Sequence, residues 1–172
     1  MDLINYLPVI ENFPKPGIFF RDISPLLANA DAFKCAIELL DRLGNEFEYT
    51  HILGIESRGF IFGAALARQT NKGLLLARKP NKLPLATHTE SYGLEYGKDA
   101  LQIQAHTIEK DAKILVIDDV LATGGTLIAA SQLVKKVGAK LAGAMTLAEI
   151  KALDGKRLLD ASGIPFRTLL TL

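Results

Sequence analysis

Short apolar runs alternate with helix-patterned segments over most of this chain, and that alternation is the feature that most narrows its fold. Residues 51–56, 74–78, 113–118, 141–147 and 166–170 read as strands that are apolar nearly throughout. Between them, Gly59 to Thr70 and Thr126 to Val137 carry helical patterns, and a shorter helix is expected near 152–160. Strands without a polar face must be covered on both sides, which implies a twisted, mainly parallel sheet with helices on both faces. Ahead of the first strand, Phe33, Ala36, Ile37, Leu40 and Leu43 recur at helical spacing behind capping side chains at Asn29 and Asp31, and Gly44 reads as the stop. Pro14, Pro16 and Gly17 predict a turn leading into a short extended piece. The fold class is α/β, and 172 residues suit a single domain with a real core.

Composition removes several classes of function. Lys and Arg exceed Asp and Glu by a single charge, so the chain lacks the basic stripe of a nucleic-acid binder. A few local cations would still suffice for a small anionic ligand. The single cysteine, Cys35, excludes an intrachain disulfide, and the Cys/His spacings of zinc sites are missing. Cys35 sits in a predicted helix, where a lone cysteine acts as a small hydrophobe. The N-terminus lacks the positive start of a secretion signal. No apolar run reaches the ~20 residues needed to span a bilayer. The expectation is a soluble cytoplasmic protein with no membrane or nucleic-acid partner.

In open parallel sheets, ligands bind beyond the carboxyl ends of the strands. That rule points to 56–59, 78–82 and 118–126, and all three carry charged or glycine-rich chemistry. Residues 83–104 interrupt the alternation with Thr87, His88, Thr89, Ser91, Tyr92 and Tyr96 among glycines. A long insertion of this kind predicts a protruding hairpin that closes over the site, its far end returning as an edge strand through Leu101 and Ile103.

The densest chemistry lies in Ile114-Leu-Val-Ile-Asp-Asp-Val-Leu-Ala-Thr-Gly-Gly-Thr126. Asp118 and Asp119 follow a buried strand, and they converge on one ligand if the chain turns at once. Ala122, Thr123, Gly124, Gly125 and Thr126 supply that turn. The glycines let backbone amides approach a ligand, the helix start adds its positive end, and Thr123 and Thr126 add hydroxyls. An anion cradle beside paired carboxylates suits a sugar phosphate. A Walker B reading fails because no G-x-x-x-x-G-K-[ST] occurs, and dinucleotide binding fails because no G-x-G-x-x-G follows a strand.

The run from Val116 to Thr126 resembles the phosphoribosyl-pyrophosphate motif of the type I phosphoribosyltransferases. Pro16-Gly-Ile-Phe-Phe-Arg-Asp-Ile-Ser-Pro25, Glu56-Ser-Arg-Gly-Phe-Ile-Phe-Gly63, Arg78-Lys-Pro-Asn-Lys-Leu-Pro84 and Ser91-Tyr-Gly-Leu-Glu-Tyr-Gly97 are similar to the adenine-using branch of that family, in the same order. The resemblance implies a single domain over 1–172, with a small hood over about 1–30 and a flexible lid over about 83–104. It implies transfer of ribose 5-phosphate from phosphoribosyl pyrophosphate to adenine, giving AMP and pyrophosphate, with magnesium held mainly by substrate and water. Phe19, Phe20 and Arg21 would frame the base, with Phe19 standing where the family often has a small aliphatic residue. Glu56, Ser57 and Arg58 would form the pyrophosphate loop, often with a strained peptide bond. Arg78, Lys79 and Lys82 would add positive charge, some of it across a homodimer interface. Glu95 and Tyr96 would lie on the lid, Glu95 exchanging the purine proton. Asp118 and Asp119 would hold the ribose hydroxyls beside the developing ribosyl cation. Transfer to hypoxanthine, guanine or xanthine, and a regulator that senses phosphoribosyl pyrophosphate, are the alternatives.

Overall fold

The computed structural model describes residues 1–93 and 99–172. Its elements in chain order are β1 (Val9–Glu11), β2 (Phe19–Arg21), α1 (Ser24–Ala28), α2 (Ala30–Gly44), β3 (His51–Ile55), α3 (Gly59–Thr70) and β4 (Gly73–Ala77). There follow β5 (Thr87–Tyr92), β6 (Asp99–Gln104), β7 (Lys113–Leu121), α4 (Gly125–Lys136), β8 (Lys140–Glu149), α5 (Gly155–Ala161) and β9 (Phe166–Thr171). Leu3–Tyr6 and Lys151–Leu153 form short 3-10 turns.

The expected parallel sheet is present, with five strands in the order β4-β3-β7-β8-β9. Every neighbouring pair in it is parallel. Alternate residues of β7 divide between two cores. Ile114 and Val116 pack with α4 residues such as Leu127, Ala130 and Leu133, while Leu115 and Ile117 pack with Ile37, Leu40, Phe62 and Leu66 of α2 and α3. Both faces of the strand are thus dry, which is why its sequence shows no polar alternation. Helix α2 starts as its caps require, the Asn29 side chain accepting from the Ala32 amide at 2.9 Å.

From β3 the chain moves out to β4, then returns to the other side of β3 as β7 and continues outward to β8 and β9. The crossover direction therefore reverses between β3 and β7. The crevice at their carboxyl ends is the topological switch point where such sheets bind ligands.

Two differences from the sequence reading bear on function. β7 does not end at Asp118 but runs through Leu121, because Val120 and Leu121 keep pairing with Ala148 and Glu149 of β8. The acidic pair thus lies within the strand, and the turn comes three residues after Asp119. The inserted hairpin β5–β6 also does not stand clear of the body. Leu101 and Ile103 are buried in the α4-side core, and Lys136 of α4 donates to the Thr89 carbonyl at 2.7 Å and pairs with Glu90 at 2.6 Å. β6 pairs with β5 and touches the main sheet through one bridge, Arg78 with Gln102.

Candidate active site

Three loops meet at the switch point. The first follows β3, where Glu56, Ser57 and Arg58 lead into α3. The peptide between Glu56 and Ser57 is cis. The Glu56 carboxylate faces back to the loop after β4, accepting from the Lys79 amide at 2.7 Å and from Arg78 Nε and Nη2 at 3.3 Å each. Burial is the largest influence on this carboxyl and pushes it up, yet those donors together hold it below the usual range. Glu56 therefore works as a bracket between the ends of β3 and β4, with its oxygens turned to protein rather than to the crevice.

Arg58 reaches two other parts of the site. Its Nε lies 2.9 Å from Asp119 Oδ2. The contact is an ion pair by distance only, since that buried oxygen has no aligned donor among the described residues. The guanidinium also sits 4.8 Å from the centre of the Phe20 ring, and Nη1 approaches the Arg21 carbonyl at 3.5 Å. One side chain thus ties the N-terminal hairpin β1–β2 to the acidic pair. In that hairpin, Phe20 packs edge-on against Phe13, Arg21 Nη1 donates to the Leu7 carbonyl at 3.1 Å, and Phe19 is 63% exposed at the mouth.

The second loop carries Arg78, Lys79 and Lys82. Arg78 lies over the Phe60 ring at 5.9 Å and donates to the Lys82 carbonyl at 3.1 Å, while the Lys82 side chain is exposed. Lys79 points toward the root of the β5–β6 hairpin. Its amine donates to the Tyr92 hydroxyl at 3.2 Å and pairs with Asp99 at 3.1 Å. Burial is the largest influence on that amine and lowers its pKa, but Tyr92 and Asp99 overcome it and hold the group above its ordinary value.

The third loop is the end of β7. Asp119 is 3% exposed, and Asp118 accepts from the Asp119 amide at 2.9 Å. Burial raises the Asp118 carboxyl well above the usual range, and the neighbouring Asp119 charge adds to this. Burial raises Asp119 as well, with Arg58 working against it. Asp118 is packed against the start of α3, where a Cβ on Gly59 would come within 2.7 Å of the Ile117 carbonyl and 3.0 Å of Asp118 Oδ1. Beyond Leu121, residues Ala122 and Thr123 lead to Gly124 at φ +93°, a left-handed turn that favours glycine, and α4 begins at Gly125 with Thr126 next. The amides of Gly125 and Thr126 thus lie in the first turn of α4, where helix amides lack intrahelical acceptors and suit an anion.

The structure brings together Phe20, Arg21, Glu56, Arg58, Arg78, Lys79, Asp118 and Asp119 through contacts, with Phe19, Ser57, Lys82, Ala122, Thr123, Gly124, Gly125 and Thr126 on the same loops. Glu95 and Tyr96 lie outside the described residues. Sequence reasoning missed Gly155, at the start of α5, whose Cα side lies directly under the Ala122 carbonyl; Gly124 in turn faces the Gly155 carbonyl. An Asp-Gly pair before a helix reads as an ordinary turn, so no local signal marked it. Among the described residues, no group of three or more His, Cys, Asp or Glu side chains is arranged to hold a metal.

A sheet with this switch point, a buried acidic pair at its mouth and a glycine turn into a helix define a phosphoribosyltransferase. The Phosphoribosyl transferase domain family matches residues 24–162. An adenine phosphoribosyltransferase of Polynucleobacter necessarius subsp. necessarius is 62% identical over 170 residues, covering 99% of each chain. The crystal structure of adenine phosphoribosyltransferase from Thermoanaerobacter pseudethanolicus superposes with a TM-score of 0.94 at 38% identity, covering 99% of this chain and 98% of that one. The Saccharomyces cerevisiae enzyme, solved with an imino-altritol bisphosphate and adenine, gives a TM-score of 0.89 at 35% identity, covering 98% and 96%. The chain belongs to the adenine phosphoribosyltransferase family.

Proposed function

We propose that this chain transfers ribose 5-phosphate from phosphoribosyl pyrophosphate to adenine, releasing AMP and pyrophosphate in purine salvage. The observation that carries the reading is the juxtaposition of Asp118 and Asp119 with the helix start at Gly125, at the carboxyl ends of β3 and β7. The 5-phosphate sits on the Gly124, Gly125 and Thr126 amides, with the Thr123 and Thr126 hydroxyls beside it. Asp118 and Asp119 take the ribose hydroxyls. Loss of pyrophosphate leaves positive charge on the ribose ring, as in glycosyl transfer generally, and a nearby carboxylate pair stabilises it.

Arg58, Arg78, Lys79 and Lys82 face the leaving group, with Ser57 on the same loop and Glu56 aiming Arg78 and the Lys79 backbone. Magnesium would be carried mostly by substrate oxygens and water, and the carboxylates of Asp118 and Asp119 are of the kind that would help to hold it. Bound magnesium would supply charge neutralisation at the pyrophosphate. Phe19, Phe20 and Arg21 frame adenine. Glu95 exchanges the purine proton and Tyr96 accompanies it on the lid. Phosphoribosyl pyrophosphate is too highly charged to cross a bilayer unaided, so enzyme and substrate share the cytoplasm. A homodimer is the proposed assembly.

The test is a base screen. Pure protein with magnesium and phosphoribosyl pyrophosphate is given adenine, hypoxanthine, guanine or xanthine in turn, and nucleotides are resolved by chromatography. AMP and pyrophosphate in equal amounts from adenine, with the other bases far slower, is the expected result. No AMP from adenine overturns the reading, and faster turnover of another purine reassigns the base.

A further inference from the structure

Tyr92 lies outside the proposed substrate contacts, between two of the loops that make the site. Its inner end faces Gly125, where an added Cβ would meet Tyr92 Cδ2 at 3.8 Å and Tyr92 Cβ at 4.0 Å. Its outer end meets Lys79, with the hydroxyl 3.2 Å from Nζ and the ring centre 5.7 Å from it. The ring body packs on the α4-side core, and Tyr92 is the last residue of β5, paired across the hairpin with Asp99. The backbone of Lys79 is fixed independently, its amide donating to Glu56 at 2.7 Å.

We propose that Tyr92 is a positioning residue for the anion-binding side of the site, holding the Lys79 ammonium at a set distance from the start of α4. This rests on the reading of Lys79 as a pyrophosphate contact. The two acceptors on the Lys79 amine are unequal. Asp99 is 64% exposed and its carboxylate is well solvated, so it offers weak and movable attraction. The Tyr92 hydroxyl rides on a ring packed against the α4-side core. Being neutral, it also fixes the ammonium without cancelling its charge, so the cation stays available to a phosphate. A carboxylate in that place would hold the amine more strongly and compete with the substrate. The same side chain faces Gly125, so two groups of the anion side from separate loops border one packed residue.

Tyr92→Phe keeps the ring and deletes the hydroxyl. Steady-state kinetics with each substrate varied should show KM for phosphoribosyl pyrophosphate raised roughly three- to tenfold, the loss expected for one hydrogen bond of ordinary net strength. KM for adenine and the melting temperature should be unchanged. Asp99→Asn should leave affinity for phosphoribosyl pyrophosphate the same or tighten it. The idea is overturned by an unchanged KM in Tyr92→Phe, by equal rises for both substrates with a lower melting point, or by Asp99→Asn weakening binding as much as Tyr92→Phe. Calorimetric titration of inorganic pyrophosphate with magnesium into the wild type separates the two layers. No binding there means that the reading of the site fails, whereas wild-type binding that persists undiminished in Tyr92→Phe overturns the role of Tyr92 alone.

Discussion

Asp118 and Asp119 stand in a place that penalises ionised carboxylates, and the consequence can be measured. Burial, then mutual repulsion, raises the folded-state pKa of Asp118 above its unfolded value. Between those two values the folded chain binds more protons than the unfolded one, so stability falls as pH rises through that window and stays reduced at neutral pH. Asp118→Asn keeps an oxygen for the Asp119 amide while removing the charge. It should melt higher than wild type at pH 8, by about 2–4 °C for each kcal/mol regained in a chain of this size, with the gain shrinking toward pH 4. Turnover should fall roughly 10²-fold or more, as when a preorganised transition-state contact is lost. Calorimetric melts across pH beside rate assays check both halves, and a variant that melts lower at pH 8 would count against the burial argument. Holding two carboxylates in such a place at the cost of resting stability is the usual trade between activity and stability, in keeping with their proposed role beside a ribosyl cation.

At the scale of elements, the loop proposed to take the 5-phosphate packs on a helix that no local sequence signal connects to it. A Cβ at Gly155 would overlap the Ala122 carbonyl and come within 2.9 Å of Leu121 Cδ1 and 3.0 Å of the Thr123 carbonyl carbon. Two of these are backbone atoms of the loop itself, so Gly155→Ala must move either α5 or the cradle. The expected outcome is a folded protein, by circular dichroism, whose KM for phosphoribosyl pyrophosphate rises by about tenfold or more, since a misplacement near 1 Å can cost ~10²-fold. Kinetics equal to wild type would show that α5 yields instead. This contact explains what the sequence could and could not disclose. The strands and the order of the chemistry from Asp118 to Thr126 were legible, because apolar runs and adjacent residues are local signals. The length of β7 was not, since only pairing with β8 carries it past the acidic pair. Nor were the Glu56 bracket, the Arg58 link to Phe20 and Asp119, or Gly155. Each is a meeting of residues far apart in the chain, decided by the order of strands in the sheet. The polar composition of 83–104 predicts a hairpin protruding over the site with its far end returning through Leu101 and Ile103; those two residues sit deeper than an edge strand requires, in the α4-side core.

For the whole molecule, the two edges of the main sheet differ in a way that bears on assembly. β9 at the other edge carries polar pairs, Arg167 with Glu46 at 2.6 Å and the Thr171 hydroxyl donating to Glu149 of β8 at 3.0 Å. Among the described residues no strand is hydrogen-bonded along the outer side of β4, the Arg78–Gln102 bridge lying just beyond its end, and Leu74 and Leu76 are 39% and 37% exposed, with Ile61 of the neighbouring α3 at 37%. An apolar, largely unpaired edge is a liability that proteins cover, and exposed apolar groups clustered on one side mark an interaction surface. That edge ends at Ala77, directly before the Arg78–Lys79 loop, so a second copy docked there would border the cations of the site. Light scattering should therefore give twice the 18.7 kDa chain mass. Leu76→Glu should shift the protein toward monomer and raise KM for phosphoribosyl pyrophosphate in step with dissociation, with activity recovering as protein concentration rises. Leu85→Glu is the control, since Leu85 is 86% exposed on a loop and packs on little. A monomeric wild type, or a Leu76→Glu variant that stays dimeric, would move the interface elsewhere. A dimeric enzyme whose Leu76→Glu monomers keep full affinity would show instead that each active site is complete within one chain.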